Sequence, residues 1–304
     1  MTSLVDAMAA APLLLDGGLA TQLEAQGADL SGSLWSARLL RDEPDQIVAA
    51  HLAFLAAGAR IIETATYQAT FEGWAAAGLD TGEAVALMHK GSDLARQAVA
   101  EFREAGNDDD IFIAAAVGPY GAMLADGSEY TGSYALSVAE LRHFHRRRLV
   151  VLAESGVDVI ALETVPNAAE VTALVEATDD LPVPVWISVS ITGERIRAGE
   201  RLDEVFATAA SGRNVVAIGV NCSTPADATA AVPVAASFGK PVVVYPNSGE
   251  GWNADTRSWN GVSAFDADTV ADWVATGARI VGGCCRVTPA DISELARNLK
   301  TAKT

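Results

Sequence analysis

The chain has three cysteines in 304 residues, too few for a disulfide framework, and two of them, Cys284 and Cys285, are neighbours that could pair with each other only through a strained ring. Such usage fits a reducing compartment. Each cysteine sits at the end of a short apolar run, Cys222 in VVAIGVNCS and the pair in ARIVGGCC. If those ends converge, three soft ligands meet at one point, the donor set of a zinc site with an open fourth position. Free cysteines also serve as small buried hydrophobes, and adjacent thiols can act as a redox switch, so placement has to decide among these readings. Histidine offers no fourth ligand, because His51, His89, His143 and His145 all fall within helical stretches. The open position therefore suits water, a nearby oxygen or a substrate thiol, which would lose its proton on the metal and become a nucleophile. Other apolar runs end in chemistry-bearing residues as well: Asp16-Gly17-Gly18, Glu63-Thr64 with Tyr67-Gln68, Glu163-Thr164, and Asn221.

The elements that present these residues repeat along the chain. Strand-like runs occupy 13–18, 59–67, 111–119, 157–165, 184–191, 215–223, 241–248 and 278–285, and helical patterns follow them at about 46–57, 83–105, 136–155, 168–178, 202–211, 225–238, 265–276 and 288–300. Asp45, Thr224 and Thr288 are placed to cap helices, with Pro225 and Pro289 in first turns. The runs lack polar alternation, which implies strands buried on both faces, as in a parallel sheet covered by helices. Eight such units predict a single (β/α)8 TIM barrel, and the absence of any linker or short repeat predicts one domain over 1–304. An open doubly wound sheet would announce itself with G-x-G-x-x-G after the first strand, and DGGLATQLE does not match. A barrel gathers the strand ends on one face, where the longer loops 66–82, 119–135 and 246–263 should build the site.

Charge narrows the partners. Lys and Arg number 21 against 39 Asp and Glu, a net −18, so the field repels nucleic-acid backbones and anionic lipid surfaces. Apolar runs are too short and too interrupted to span a bilayer, and the opening MTSLVDAMAAAPLLL carries no Lys or Arg and is broken by Asp6, unlike a signal peptide. These features predict a cytoplasmic protein. The run Arg146-Arg147-Arg148 is expected on a solvated or salt-bridged helix face.

Taken together, LLDGGLATQLEAQG, GSLWSARLL, TATYQAT, VGPYGAMLADGSEYTGSY, FHRRRL, LETVPN, GVNCS, VVYPNSGE and IVGGCCRVTPADI resemble, in order and over nearly the whole chain, the homocysteine S-methyltransferases, above all the branch that uses S-methylmethionine. The resemblance implies a barrel with one Zn²⁺ per chain held by Cys222, Cys284 and Cys285, homocysteine sulfur completing the tetrahedron. It further implies that Asp16 and Glu163 hold the substrate ammonium while amides near Gly17 and Gly18 face its carboxylate. Asn221 would orient either the metal or the amino acid, and Glu63 is a further carboxylate candidate. The implied partners are homocysteine and a sulfonium methyl donor, S-methylmethionine before S-adenosylmethionine, with the rings of Trp35, Tyr67, Tyr120, Tyr130 and Trp252 on the loops that would receive a cation. A homo-oligomer is compatible with the sequence. Two departures from the family pattern are Ala65, where Asn or Ser is expected, and Leu162, where Cys is common before the Glu. Betaine or another methyl donor with the same thiol chemistry, and a non-catalytic zinc or redox-sensing barrel, are the competing readings.

Overall fold

The structure, a computed structural model, describes residues 2–30, 34–253 and 258–301. Eight parallel strands pair in ring order: β1 (Leu13–Leu14), β2 (Ile61–Glu63), β3 (Phe112–Val117), β4 (Val159–Val165), β5 (Val185–Val189), β6 (Val215–Asn221), β7 (Val242–Tyr245) and β8 (Ala278–Val281). The ring closes where Leu15 bridges Ile61, with Arg60 N–H donating to the Leu14 carbonyl at 2.7 Å and Asp16 N–H to the Ile61 carbonyl at 3.0 Å. The helices that return each strand are α1 (Pro44–Ala57), α2 (Thr81–Glu104), α3 (Val138–Ala153), α4 (Ala168–Thr178), α5 (Leu202–Ser211), α6 (Pro225–Ala236), α7 (Val270–Thr276) and α8 (Pro289–Thr301). The fold is the (β/α)8 barrel that the sequence predicts.

Strand side chains divide by parity, as the pleat requires. Phe112 and Ala114 point into the barrel with Leu15, Ile61, Val159, Ala161, Trp186, Val243, Tyr245 and Ile280, while Ile113, Ala115 and Val117 face the helices. Small residues on some strands make room for Trp186 and Tyr245 across the barrel. Leu4 and Met8 of a short helix, Leu4–Ala10, join this inner core and close the barrel end next to the strand starts. That helix escapes the sequence reading because seven residues, nearly all of them apolar, are too short and too uniform to show a period.

Local signals set the helix starts. Thr224 caps α6 ahead of Pro225, and Thr288 and Asp291 exchange hydrogen bonds at the start of α8. Asp45 is a correction: α1 begins one residue earlier at Pro44, whose fixed φ suits a first helical position, so Asp45 lies in the first turn and Glu43 takes the cap without a side-chain bond. β1 is also shorter than the run 13–18, because beyond Asp16 the backbone leaves the ladder and Gly18 N–H donates to the Val287 carbonyl.

Candidate active site

The ends of β6 and β8 flank the end of β7, and this adjacency brings the three cysteines together. Their sulfurs all lie within 4.8 Å of one another. Cys222 and Cys284 are joined as a disulfide with a Cα separation of 5.5 Å, and Cys285 stays free with its sulfur 3.6 Å from that of Cys222. The pairing across two strand ends, rather than between neighbours, avoids the strained ring. It is the oxidised state of a three-thiol set, and reduction frees all three donors.

Backbone geometry fixes the set. Cys284 N–H donates to the Pro246 carbonyl at 2.7 Å, Gly283 N–H to the Asp16 carbonyl at 3.1 Å, and Cys222 N–H to the Tyr245 carbonyl at 3.3 Å. A Cβ on Gly282 would lie 2.7 Å from Leu15 Cβ and 2.8 Å from the Asp16 carbonyl oxygen, so glycine here lets the β8 end lie against the β1 end and sets Asp16 beside the thiols. Thr164, Cys222 and Arg286 hold φ of 59°, 44° and 67°, left-handed conformations that non-glycine residues seldom adopt and that cluster where function over-determines the backbone.

Three carboxylates stand together beside the thiols. Asp16 is fully buried; its Oδ2 accepts from Glu63 N–H at 2.9 Å, and its Oδ1 has no hydrogen-bond partner, as is true of Glu63 Oε1. Burial, with mutual repulsion added, raises the Asp16 and Glu63 carboxyls well above the usual range, and burial pushes Glu163 up to about 8. Asn221 links this group to the thiols: its amide nitrogen donates to Glu163 at 3.2 Å and to Thr164 Oγ1 at 2.8 Å and lies 4.0 Å from the Cys284 sulfur, while its oxygen accepts from Thr164 N–H at 2.7 Å. Asn221 thus touches both the carboxylate group and the thiol end of the site. Burial and the Glu163 charge push the Cys285 thiol up to about 12.

A cavity of about 840 Å³ opens over these groups, lined among others by Gly17, Gly18, Glu63, Tyr67, Glu163 and all three cysteines. Among the described residues its acidic lining is Glu24, Asp29, Glu63, Asp126, Glu129 and Glu163, with no Lys, Arg or His. Tyr67 and Tyr130 form part of the wall, and burial holds both phenols protonated. Tyr120 is turned away into a ring cluster, 5.2 Å from Tyr134 and 5.0 Å from Phe144. The side chains of Trp35 and Trp252 lie outside the described residues. The Gly18 amide is committed to Val287, which leaves the Gly17 side of the turn as the nearer donor surface.

The arginine run divides. Arg146 pairs with Asp180 and Arg147 with Glu72, as expected of a salt-bridged face. Arg148 is a correction, being only 1% exposed. It donates to the Gly118 carbonyl and, at 2.9 Å, to His145 Nδ1, whose Nε2 lies 2.7 Å from Glu170 Oε1. Glu170 also accepts from Tyr120 N–H at 2.6 Å and from the Tyr134 hydroxyl. This buried chain clamps both ends of the loop after β3 that carries Tyr130. A periodic pattern cannot reveal it, since its members come from three separate elements. Glu24, Asp29, Ser36 and Glu129 were likewise missed as lining residues, although Glu129 stands in the GSEYTGSY block.

A barrel whose strand ends bring three thiols beside an acidic cavity has the make-up of an enzyme of thiol chemistry on a small molecule. The homocysteine S-methyltransferase family model matches residues 13–299, and the chain belongs to that family. It is 44% identical to the homocysteine S-methyltransferase of Escherichia coli (strain K12) over 293 residues, 93% of this chain and 94% of that one. It is 41% identical to a selenocysteine Se-methyltransferase of Brassica oleracea var. italica, over 94% of this chain and 88% of the relative. Among solved structures, the homocysteine methyltransferase MmuM from Escherichia coli superposes in an oxidised form with TM-score 0.85 at 42% identity, over 94% of this chain and 95% of that one. Its metallated form gives 0.82 at 43% identity, over 94% and 96%. The chain is accordingly a homocysteine S-methyltransferase, an enzyme that moves a methyl group to homocysteine.

Proposed function

We propose that residues 1–304 act as one homocysteine-binding barrel that transfers a methyl group from a sulfonium donor, S-methylmethionine before S-adenosylmethionine, to L-homocysteine, using one zinc ion held by Cys222, Cys284 and Cys285. The observation that carries the reading is the union of three thiols with a cavity whose described lining has six acidic residues and no basic one. Reduced, the thiols fit a thiophilic tetrahedral ion: they are the right donors, within 4.8 Å of one another, with no histidine in the cluster. Zinc bound there would lower the pKa of the homocysteine thiol enough to make it a thiolate at neutral pH.

The chain's own residues do the rest. Asp16, Glu63 and Glu163 receive the homocysteine ammonium, which takes the place of protons the crowded carboxyls otherwise keep. The Gly17-Gly18 turn faces the carboxylate. Asn221 locks Glu163 and Thr164 to the thiol end of the site, so acceptor sulfur and acceptor ammonium are held at a fixed separation. Tyr67 and Tyr130 shield the reacting atoms from water and offer ring faces to the sulfonium. Transfer is a single in-line displacement: the new S–CH3 bond forms as the donor S–CH3 bond breaks, the donor leaves as a neutral thioether, and the thiol proton has gone to solvent on ionisation. The lining also tells against a folate donor, because the charged groups among its described residues are all carboxylates and would repel a folate's negative charge. Betaine carries a quaternary ammonium and is the donor that has to be separated by experiment.

The test is a methyl-transfer assay on the reduced protein with S-methylmethionine, S-adenosylmethionine, betaine and methyltetrahydrofolate, alongside metal analysis. Turnover with a sulfonium compound and about one Zn²⁺ per chain is expected. Turnover with betaine alone, or full activity in protein stripped of metal, would overturn the reading.

A further inference from the structure

A homocysteine molecule brings one ammonium into the cavity, and a sulfonium amino acid brings a second together with the sulfonium itself. The acids are arranged in two separate centres. Asp16 accepts from Glu63 N–H at 2.9 Å and Glu163 is held by Asn221 at the strand ends, whereas Glu129 sits in the turn Ser128–Tyr130 of the loop after β3. Tyr67, Cys285, Glu163 and Glu129 all line the same cavity. Glu129 lines the cavity, and its Oε2 is buried without a hydrogen-bond partner.

The loop holds this carboxylate in place. Gly127 at φ 85° starts a single turn, Ser128–Tyr130, whose Ser128 carbonyl accepts from Gly132 N–H at 2.8 Å. A Cβ on Gly121 would come within 2.5 Å of Glu129 N, so the turn packs directly on the helix Tyr120–Leu124. The Glu170 chain then fixes Tyr120 and Tyr134 on either side.

Resting on the sulfonium reading above, we infer that Glu129 is the specificity-determining carboxylate that pairs with the ammonium of the methyl donor, as the Asp16–Glu63–Glu163 trio pairs with that of homocysteine. The ammonium is the right target because its charge survives the reaction. The sulfonium charge is cancelled as methyl moves to the thiolate, so a carboxylate held against it would favour the ground state over the transition state. A carboxylate on the ammonium binds donor and transition state alike, and its loss appears in the donor KM.

Wild type and Glu129→Gln are compared as reduced full-length protein with its metal, with Glu129→Asp as the charge-retaining control and metal content and Tm as checks on folding. Expected for Glu129→Gln are a donor KM raised about 10- to 100-fold with S-methylmethionine, and a kcat and homocysteine KM within about threefold of wild type. Glu129→Asp should recover part of the loss. The inhibition constant of 3-dimethylsulfoniopropionate, a sulfonium without an ammonium, should be unchanged by Glu129→Gln. An unchanged donor KM, an equal rise in both KM values, or an inhibition constant that rises with the donor KM overturns the assignment. A wild-type enzyme that turns over no sulfonium donor overturns the parent reading instead, and shows it before any variant is made.

Discussion

At Asp16 a fully buried carboxylate gives one oxygen to the Glu63 amide and leaves the other unmatched, a costly arrangement that a substrate cation would relieve. Asp16→Asn and Glu163→Gln should therefore raise the homocysteine KM and lower kcat/KM by about 10- to 100-fold, since a hydrogen bond to a charged group is worth about 1.5–3 kcal/mol, while metal content stays at the wild-type level. Metal loss in either variant would place these carboxylates in the wrong role. The thiols behave in the opposite sense: Cys222→Ala or Cys285→Ala is expected to lose the metal and methyl transfer together, measured by metal analysis after purification under reductant. The disulfide between Cys222 and Cys284 makes reductant essential to that comparison. The three cysteines were legible as a set from their run ends, and the barrel supplies the reason, because β6 and β8 are one strand apart. Glu129 and Arg148 were not legible as site and clamp: a carboxylate in a loop and an arginine in a basic run carry no sign of burial until the chain is folded.

Among the helices, α1 carries a histidine in a place where it cannot hold charge. His51 is fully buried, neither ring nitrogen has a partner, and burial lowers its pKa from the usual 6.5 to about 4. Between those values the unfolded chain binds a proton that the folded chain does not, so stability rises with pH across this window and is lost as pH falls from 6.5 toward 4. The loss amounts to about 3 kcal/mol from this one residue. His51→Leu should flatten the pH dependence of urea midpoints between these limits and leave neutral-pH stability equal or higher; a slope unchanged from wild type would contradict the assignment. The α3–α4 contact holds the buried Glu170, His145 and Arg148. Removing the acceptor in Glu170→Ala strands His145 and Arg148 and should cost about 3–5 kcal/mol in denaturant unfolding, with the loop after β3 losing hydrogen-exchange protection before the barrel does.

For the whole molecule, the net charge of −18 and the acidic cavity act in one direction. A sulfonium amino acid carries a net positive charge at neutral pH and homocysteine carries none. Raising ionic strength from about 10 to 500 mM, which shortens the Debye length from about 30 Å to a few Å, should lower kcat/KM for the donor several-fold and leave that for homocysteine nearly unchanged. Parallel losses for both substrates would show that the field is not what selects the donor. Among the described residues no helix is long and apolar enough to cross a membrane.

The order and type of the elements follow from the sequence alone, since eight apolar runs without polar alternation, each followed by a helical period, can bury both strand faces only in a helix-covered parallel sheet. The thiols, the strand-end acids and Asn221 follow too, because in a barrel every strand delivers its last residues to one face. Tertiary structure alone decided the Cys222–Cys284 pairing, the shared burial of Asp16, Glu63 and Glu163, the inward turn of Tyr67 and Tyr130 with Tyr120 turned away, and the entry of Glu129 into the cavity wall. These depend on distances between residues far apart in the chain, which periodicity does not encode: they are set when the ring closes at Leu15 and Ile61 and the β1 and β8 ends pack through glycine.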